Sequence, residues 1–236
     1  MSESWTHMLA FADVRAMLAL AQDATPLSTW YARIAENARL LAGDQRKTQT
    51  RIARSLITVR DGEIHSDGFL DDLAGADAVT ARDLIYGRYL ATRSLARSIA
   101  RDVFAPAAAA GDSIVSRSTL NRFIDRELES CSSQTRARSL SSAVAEFARA
   151  GIVRTAAHEP LVLTGHFPSH RALFHLIRDE LRERDEATDF WLATQSRAAT
   201  LFALSSDTMQ HLIDQLVRSG SLTRSYYSGQ PRILAA

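Results

Sequence analysis

Apolar residues recur with the same spacing in two separate segments of the chain. The shared positions are Leu140, Val144, Phe147, Gly151 and Val153 in the first segment and Met209, Ile213, Leu216, Gly220 and Leu222 in the second. Apolar residues three or four positions apart predict a helix, and the glycine predicts its end, because glycine readily adopts the left-handed conformation. The extended stretches after the glycines, residues 152–164 and 221–235, predict two β-hairpins. Helix, glycine and hairpin form the second half of a winged helix-turn-helix, a module that binds nucleic acid or another protein.

The rest of the chain has the apolar periodicity of helices. Helices are predicted over residues 8–21, 29–41, 80–104 and 169–184, with another after Gly43, while residues 60–78 predict a connection and a short helix. Pro106 and the alanines after it predict the end of the longest helix and a domain boundary. The predicted fold is all-α, mainly helical, with two small winged helix-turn-helix-like modules. Its parts are an N-terminal helical domain (1–106), the first winged-helix-like module (112–165), and C-terminal helices with the second module (166–236).

Two groups of basic residues follow helical spacing. They are Lys47, Arg51 and Arg54 in the third predicted helix, and Arg93, Arg97 and Arg101 in the longest one. Each group predicts a basic stripe along one helix face. Such a stripe either contacts phosphates or is an ordinary solvated surface, and the sequence leaves both interpretations open.

The first winged module carries polar residues suited to a DNA groove near the start of its second helix. They are Gln134, Arg136, Arg138, Ser139 and Ser142, all predicted to be exposed. Arginine binds guanine or phosphate, and glutamine pairs with adenine. The second copy has Ser205, Asp207 and His211 where the first has Arg136, Arg138 and Ser142, and Asp207 is better suited to cap a helix. We therefore expect the first copy to contact nucleic acid and the second to pack or to bind a partner.

Composition limits the other functions open to the chain. Of its 236 residues 46% are hydrophobic, enough for packed cores, yet no run approaches the roughly 20 apolar residues that span a bilayer. The first residues also lack the pattern of a signal peptide, so a cytoplasmic chain without membrane contact is expected. A net charge of +1 gives no overall attraction to phosphates, so any attraction to nucleic acid must come from local clusters of basic residues.

Residues that could support catalysis or metal binding are few. Phosphate-loop, zinc-protease and serine-hydrolase motifs are absent and Lys47 is the only lysine, so we expect no enzyme, no cofactor and no small-molecule substrate. His166, His170 and His175 have no carboxylate or thiol at ligand spacing, and Asp71 with Asp72 has no third ligand. No metal site is therefore expected. The single cysteine, Cys131, excludes an internal disulfide.

Residues 9–155 resemble the BrxA family of the BREX bacteriophage-exclusion systems in the order and spacing of short motifs. These motifs are Arg39–Leu41, Thr48–Leu56, Leu84–Leu90, Asp102–Phe104, Ser118–Thr119 and Gly151–Val153. The resemblance implies an all-helical protein with helix-turn-helix-like elements that binds double-stranded DNA and has no catalytic activity of its own. The segment after Phe167 is longer than the usual tail of that family.

The expected function is that of a non-catalytic DNA-binding accessory protein, which works with other components of a phage-defence system. The alternative is a scaffold whose winged modules bind proteins and whose arginines form ion pairs. The arginine stripes favour DNA, whereas the near-zero net charge favours the scaffold. RNA binding stays open too, although the sequence has no aromatic RNP pair and no GXXG loop.

Overall fold

A computed structural model describes residues 9–37, 43–65, 67–155, 159–184, 187–227 and 230–235, and most of them are helical. The helices are α1 (Phe11–Ala19), α2 (Leu27–Glu36), α3 (Gly43–Ser55), α4 (Phe69–Ala74), α5 (Ala78–Thr92), α6 (Ser94–Ile99), α7 (Ala105–Ala109), α8 (Arg117–Glu127), α9 (Ser133–Arg149), α10 (His170–Arg184), α11 (Asp189–Gln195), α12 (Arg197–Leu201) and α13 (Ser206–Arg218). The strands are β1 (Thr58–Arg60), β2 (Glu63–His65), β3 (Ile114–Val115), β4 (Val153–Arg154), β5 (Leu161–Leu163), β6 (Ala187–Thr188), β7 (Leu222–Tyr227) and β8 (Gln230–Ala235). A mainly helical chain with small antiparallel hairpins is thus confirmed.

Two units of the chain have the same order of elements. The first unit runs β3, α8, α9, β4 and β5, and the second runs β6, α11 with α12, α13, β7 and β8. Each forms a three-stranded antiparallel sheet whose last strand lies in the centre, in the orders β3-β5-β4 and β6-β8-β7. The two predicted hairpins are confirmed, but the third strand of each sheet was not predicted, because two residues are too short to show a periodicity. The connections between the strands of both hairpins lie partly or wholly outside the described residues.

The repeated glycines end α9 and α13 in the same way. Gly151 and Gly220 have φ values of +80° and +75°, the left-handed region that favours glycine. After α9 the amide of Gly151 donates to the Ala148 carbonyl and that of Ile152 to the Phe147 carbonyl, and the corresponding bonds follow α13. This paired pattern satisfies carbonyls that a helix end leaves open. The predicted glycine ends of both helices are confirmed.

Serine hydroxyls cap the starts of the same two helices. Ser132 accepts a hydrogen bond from the amide of Thr135 at 3.2 Å, and Ser205 accepts one from Thr208 at 3.2 Å. Such a cap stabilises a helix by roughly 1 kcal/mol. The cap expected from Asp207 is wrong, because Ser205 fills that position and Asp207 lies in the first turn.

The helix predicted over residues 80–104 is interrupted. It consists of α5, α6 and a π-helical turn at Ala100–Phe104, with an extended residue, Arg93, between the two helices. The hydroxyl of Thr92 donates to the Tyr89 carbonyl at 2.7 Å, a bond that competes with regular helix geometry. The helical run continues through Pro106, which lies in the first turn of α7, where its missing N–H is tolerated, and it ends at Ala109, among the alanines that were predicted to end it.

A hairpin occupies part of the segment predicted as a connection. Strands β1 and β2 pair antiparallel around Asp61 and Gly62, whose φ values are +50° and +83°. Asp-Gly suits such a two-residue turn because both positions need positive φ. The same segment then forms the predicted short helix, α4.

Buried side chains form one continuous cluster from Leu9 to Ile233. Helix α5 is central to it and packs against α1, α3, α10 and α12. A Cβ atom on Gly87 would lie 3.1 Å from Leu176 Cδ1, so this glycine allows the close approach of α5 and α10. The buried Glu146 of α9 accepts a hydrogen bond from the Leu9 amide at 2.9 Å, which joins the N-terminal segment to the first unit. The division into three domains stays a prediction.

Candidate nucleic-acid interface

The outward side of α9 carries several of the predicted groove residues. Gln134 and Arg138 are exposed, and Ser142 is half-buried. Arg136 is also half-buried, and its Nη1 lies 3.2 Å from Oδ1 of Asp125 on α8. Ser139 is buried, so its predicted exposure is wrong. It lies one helical turn before Ala143 on the buried face of α9.

The corresponding side of α13 differs in charge. Asp207 and His211 are exposed, and the His211 ring lies 2.8 Å from the Gln215 amide nitrogen. Asp214, further along α13, is paired at 2.6 Å with Arg224 of β7. The hydrogen bond from Arg224 lowers the pKa of Asp214 and keeps it ionised. The exposed start of α13 therefore offers a carboxylate where α9 offers an arginine.

The basic stripe on α3 is only partly free to meet a ligand. Lys47 is exposed, with Nζ 3.3 Å from the exposed Asp44, and a pair of this kind contributes roughly 0–1 kcal/mol. Arg54 is half-buried and donates to the Ile57 carbonyl at 3.3 Å. Arg51 is exposed, and no described carboxylate forms an ion pair with it. Arg51 is therefore the most available cation of this stripe.

The second predicted stripe is divided by the break at Arg93. Arg93 lies over the Tyr89 ring, 4.7 Å from its centre, and donates to the Tyr89 hydroxyl at 2.9 Å. Arg101 makes two hydrogen bonds of 2.8 Å with Asp102 and remains two-thirds exposed. The hydrogen bond from Arg101 lowers the pKa of Asp102. Arg97 is exposed, and no described residue pairs with it.

Arg97 and Arg101 meet two further arginines in a groove of about 740 Å³ between α6–α7 and the α10–α12 segment. We call it the arginine groove, and its charged and aromatic lining consists of Arg97, Arg101, Arg184, Arg197 and Trp191. No carboxylate of the described residues lines it. The guanidinium carbon of the exposed Arg184 lies over the Trp191 ring, 4.1 Å from the ring centre. Sequence reasoning missed this site, because Arg184, Trp191 and Arg197 belong to segments that only the fold brings to α6.

A buried glutamate lies behind the arginine groove. Glu180 is buried although it lies in a highly charged stretch of α10, and its Oε1 accepts a hydrogen bond of 2.8 Å from the Arg197 amide. Burial raises the pKa of Glu180 to about 7. The Arg197 guanidinium also pairs with Glu183, an exposed carboxylate of the same helix. Glu180 and Glu183 therefore hold the start of α12 against α10.

The three histidines are held by polar contacts within the fold. His166 Nε2 lies 2.8 Å from Oδ1 of the buried Asp83, and His170 contacts Gln215. His175 is fully buried between two arginines, with Arg178 Nη2 2.8 Å from Nδ1 and Arg88 Nη1 3.1 Å from Nε2. Within the described part of the chain, no group of three histidine, cysteine or acidic residues is arranged to hold a metal ion.

Arg88 anchors a polar cluster in which the half-buried Asp67, Asp72 and Arg178 surround the buried His175. Burial opposes the ionisation of Asp67, but the hydrogen bonds and charge of Arg88 outweigh it and hold the pKa of Asp67 well below its usual range. The Arg88 guanidinium also lies 4.5 Å from the centre of the Phe69 ring. These contacts tie α4 and α10 to α5, so the cluster is part of the core.

Comparison with family models, curated proteins and solved structures gives no match for this chain. The resemblance to the BrxA family therefore rests on the short motifs alone, and one of them, Arg39–Leu41, lies outside the described residues. None of the helices in the described ranges is long and apolar enough to cross a membrane.

Proposed function

We propose that this chain binds double-stranded DNA and that α9 is its base-reading helix. The observation that carries the proposal is the exposed polar side of α9, within a unit whose element order is that of a winged helix-turn-helix. A helix precedes β3, helices α8 and α9 follow, and β4 and β5 then form the hairpin that would be the wing. In helix-turn-helix proteins the second helix of the motif enters the major groove and contacts bases with its N-terminal residues.

The side chains available on α9 suit this task. Arg138 has the fork of donors that binds guanine O6 and N7, and Gln134 matches the donor and acceptor of adenine. Arg136 can join them by releasing Asp125, whose side chain is 62% exposed, so the exchange costs little. On α3, Lys47 and Arg51 would contact phosphates and contribute affinity without sequence preference.

The proposed role is non-catalytic. In line with the BrxA resemblance, the chain would be an accessory protein of a phage-defence system and would act beside its other components. The second unit would have a different role from the first, because the exposed start of α13 carries Asp207 in place of Arg138. It would pack or bind a protein partner.

A scaffold function is the second candidate, and a specific observation favours it. Five of the predicted DNA-contacting cations already make contacts inside the chain: Lys47, Arg54, Arg93, Arg101 and Arg136. If these cations serve to stabilise the fold through such contacts, the surfaces of the helices would bind proteins and not DNA.

Fluorescence anisotropy with a labelled duplex separates the two candidates. We expect Arg136→Ala with Arg138→Ala to weaken duplex binding by about 1–3 kcal/mol per lost base contact. His211→Ala, at an exposed position of α13, is the matched control and should leave the affinity unchanged. Equal duplex affinity of the wild type and the double variant, or no duplex binding at all, would move the assignment to the scaffold.

A further inference from the structure

We propose that the arginine groove binds an unpaired segment of nucleic acid, whose phosphates contact Arg97 and whose base stacks on Arg184. The inference concerns a site formed by residues that precede and follow α9 in the sequence, none of them in α9, and it does not depend on duplex binding there. It assigns Arg97 to a different ligand from the duplex phosphates that helical spacing suggested.

The stacking surface is already assembled. The Arg184 Cζ atom lies over the Trp191 ring, 4.1 Å from its centre, and Arg184 is exposed, so we infer that the side of the guanidinium away from Trp191 can meet a planar ligand. Arginine guanidinium planes and aromatic rings are the surfaces on which proteins stack unpaired bases. Gln195, exposed on the same wall, offers an amide donor and acceptor to a base edge.

The charge of the lining matches a phosphate chain. Arginines stand on both walls, Arg97 and Arg101 on one and Arg184 and Arg197 on the other. Asp102 engages Arg101, and Glu183 engages Arg197, but neither carboxylate lines the groove. Arg97 has no ion pair with any described carboxylate and is the first contact that we assign to a phosphate.

The open shape of the groove favours a single strand over a free nucleotide or a duplex, which also carry phosphates and bases. It is open to solvent, whereas sites for small ligands enclose about 70–90% of the ligand surface. In a duplex the base faces are covered by neighbouring pairs, so a base could not reach the outer face of Arg184 without leaving the stack. A single strand offers phosphates and free base faces together.

The test is anisotropy with labelled oligothymidine of about 12 nucleotides, a length within the roughly 4–16 nucleotides that single-strand sites cover. We expect Arg97→Ala to weaken strand binding at least about fivefold and to lower the salt slope by about 0.7, the value for one lost phosphate contact on a single strand. The stacking variant replaces Arg184 with Ala and Trp191 with Leu together. Removing Arg184 alone would expose the Trp191 ring, on which the base could stack directly.

The controls keep this proposal separate from the function of α9. Arg60→Ala on β1 removes an exposed arginine that lies outside both the groove and α9, and it should leave strand affinity unchanged. Thermal melting checks that the stacking variant folds. If the stacking variant does not fold, the test relies on Arg97→Ala, which changes an exposed residue.

Three results would overturn the proposal: no strand binding by the wild type, unchanged strand binding by a folded groove variant, or an equal loss in the Arg60→Ala control. Binding of ATP tests whether the ligand of the groove is a free nucleotide. If ATP binds as tightly as the strand, the ligand is a free nucleotide and the strand assignment is wrong. A loss of duplex binding in Arg138→Ala alone concerns α9 and leaves this result unaffected.

Discussion

Replacing Glu180 with glutamine should stabilise the protein at alkaline pH and not at acidic pH. Glu180 is 4% exposed, Oε1 accepts the Arg197 amide, and Oε2 has no partner among the described residues. Burial disfavours the charged carboxylate, which raises the pKa of Glu180 from 4.5 to about 7. Glutamine keeps an oxygen for the Arg197 amide and carries no charge at any pH.

The magnitude follows from linkage between protonation and folding. Between pH 4.5 and pH 7 the folded state binds the Glu180 proton and the unfolded state does not, so the free energy of unfolding falls as pH rises. Each pKa unit corresponds to 1.36 kcal/mol, which gives a total loss of about 3 kcal/mol, complete above pH 7. We therefore expect E180Q to match the wild type near pH 4.5 and to exceed its stability by about 3 kcal/mol at pH 8.

Urea unfolding of both proteins from pH 4.5 to pH 8 measures this difference. The matched control is E183Q, on the same helix, because Glu183 also pairs with Arg197 but its side chain is 57% exposed. A solvated pair should change stability by only about 0–1 kcal/mol across the range. A stability gap between E180Q and the wild type that does not change with pH would refute the reasoning. So would an E180Q protein less stable than the wild type at pH 8, since the ion pair with Arg197 would then outweigh burial.

Two further predictions concern the α3 stripe and the polar cluster around Arg88. Arg51→Ala should reduce the magnitude of the slope of log duplex affinity against log salt by about 0.9, with little change in melting temperature. The control Arg60→Ala should leave the slope unchanged. An unaltered slope in Arg51→Ala would show that α3 is not part of the interface. Arg88→Leu should destabilise the protein by roughly 1–3 kcal/mol at pH 7, because it leaves the half-buried Asp67 without its cation. Since the pKa of Asp67 is lowered in the folded state, this loss should shrink as pH falls below about 4, and urea unfolding that shows a constant loss would contradict the pairing.

Local signals in the sequence predicted the helices and their ends where a few neighbouring residues determine them. Gly151 and Gly220 end α9 and α13 because the left-handed conformation favours glycine, and the spacing of apolar residues marks the buried face of each helix. The prediction failed where a tertiary contact or a local hydrogen bond prevails over periodicity. Arg93 interrupts a strongly periodic run, next to a hydroxyl bond from Thr92 that no apolar pattern records.

The candidate sites were predictable to very different degrees. Exposure of Gln134 and Arg138 follows from their place opposite the apolar positions of α9, so the sequence was sufficient for them. Glu180 belongs to a highly charged stretch, and nothing in that stretch marks it as the carboxylate that would face the core and meet the Arg197 amide. The arginine groove depends on helices that are far apart in sequence, so no local pattern predicts it.

The two copies of the repeated unit separate what specifies the fold from what could specify function. Both copies share the serine cap, the buried apolar positions and the left-handed glycine, so each copy forms a helix followed by a strand pair. They differ on the outward side, where α9 carries Arg138 and α13 carries Asp207. Substitutions there change surface charge without disturbing the core, because these side chains contribute little to packing. The two repeated units thus share a fold but present surfaces of different charge on their outward sides. The arginine groove is a third surface, which neither unit could form alone, because α6 and α7 supply one wall and the helices from α10 to α12 supply the other.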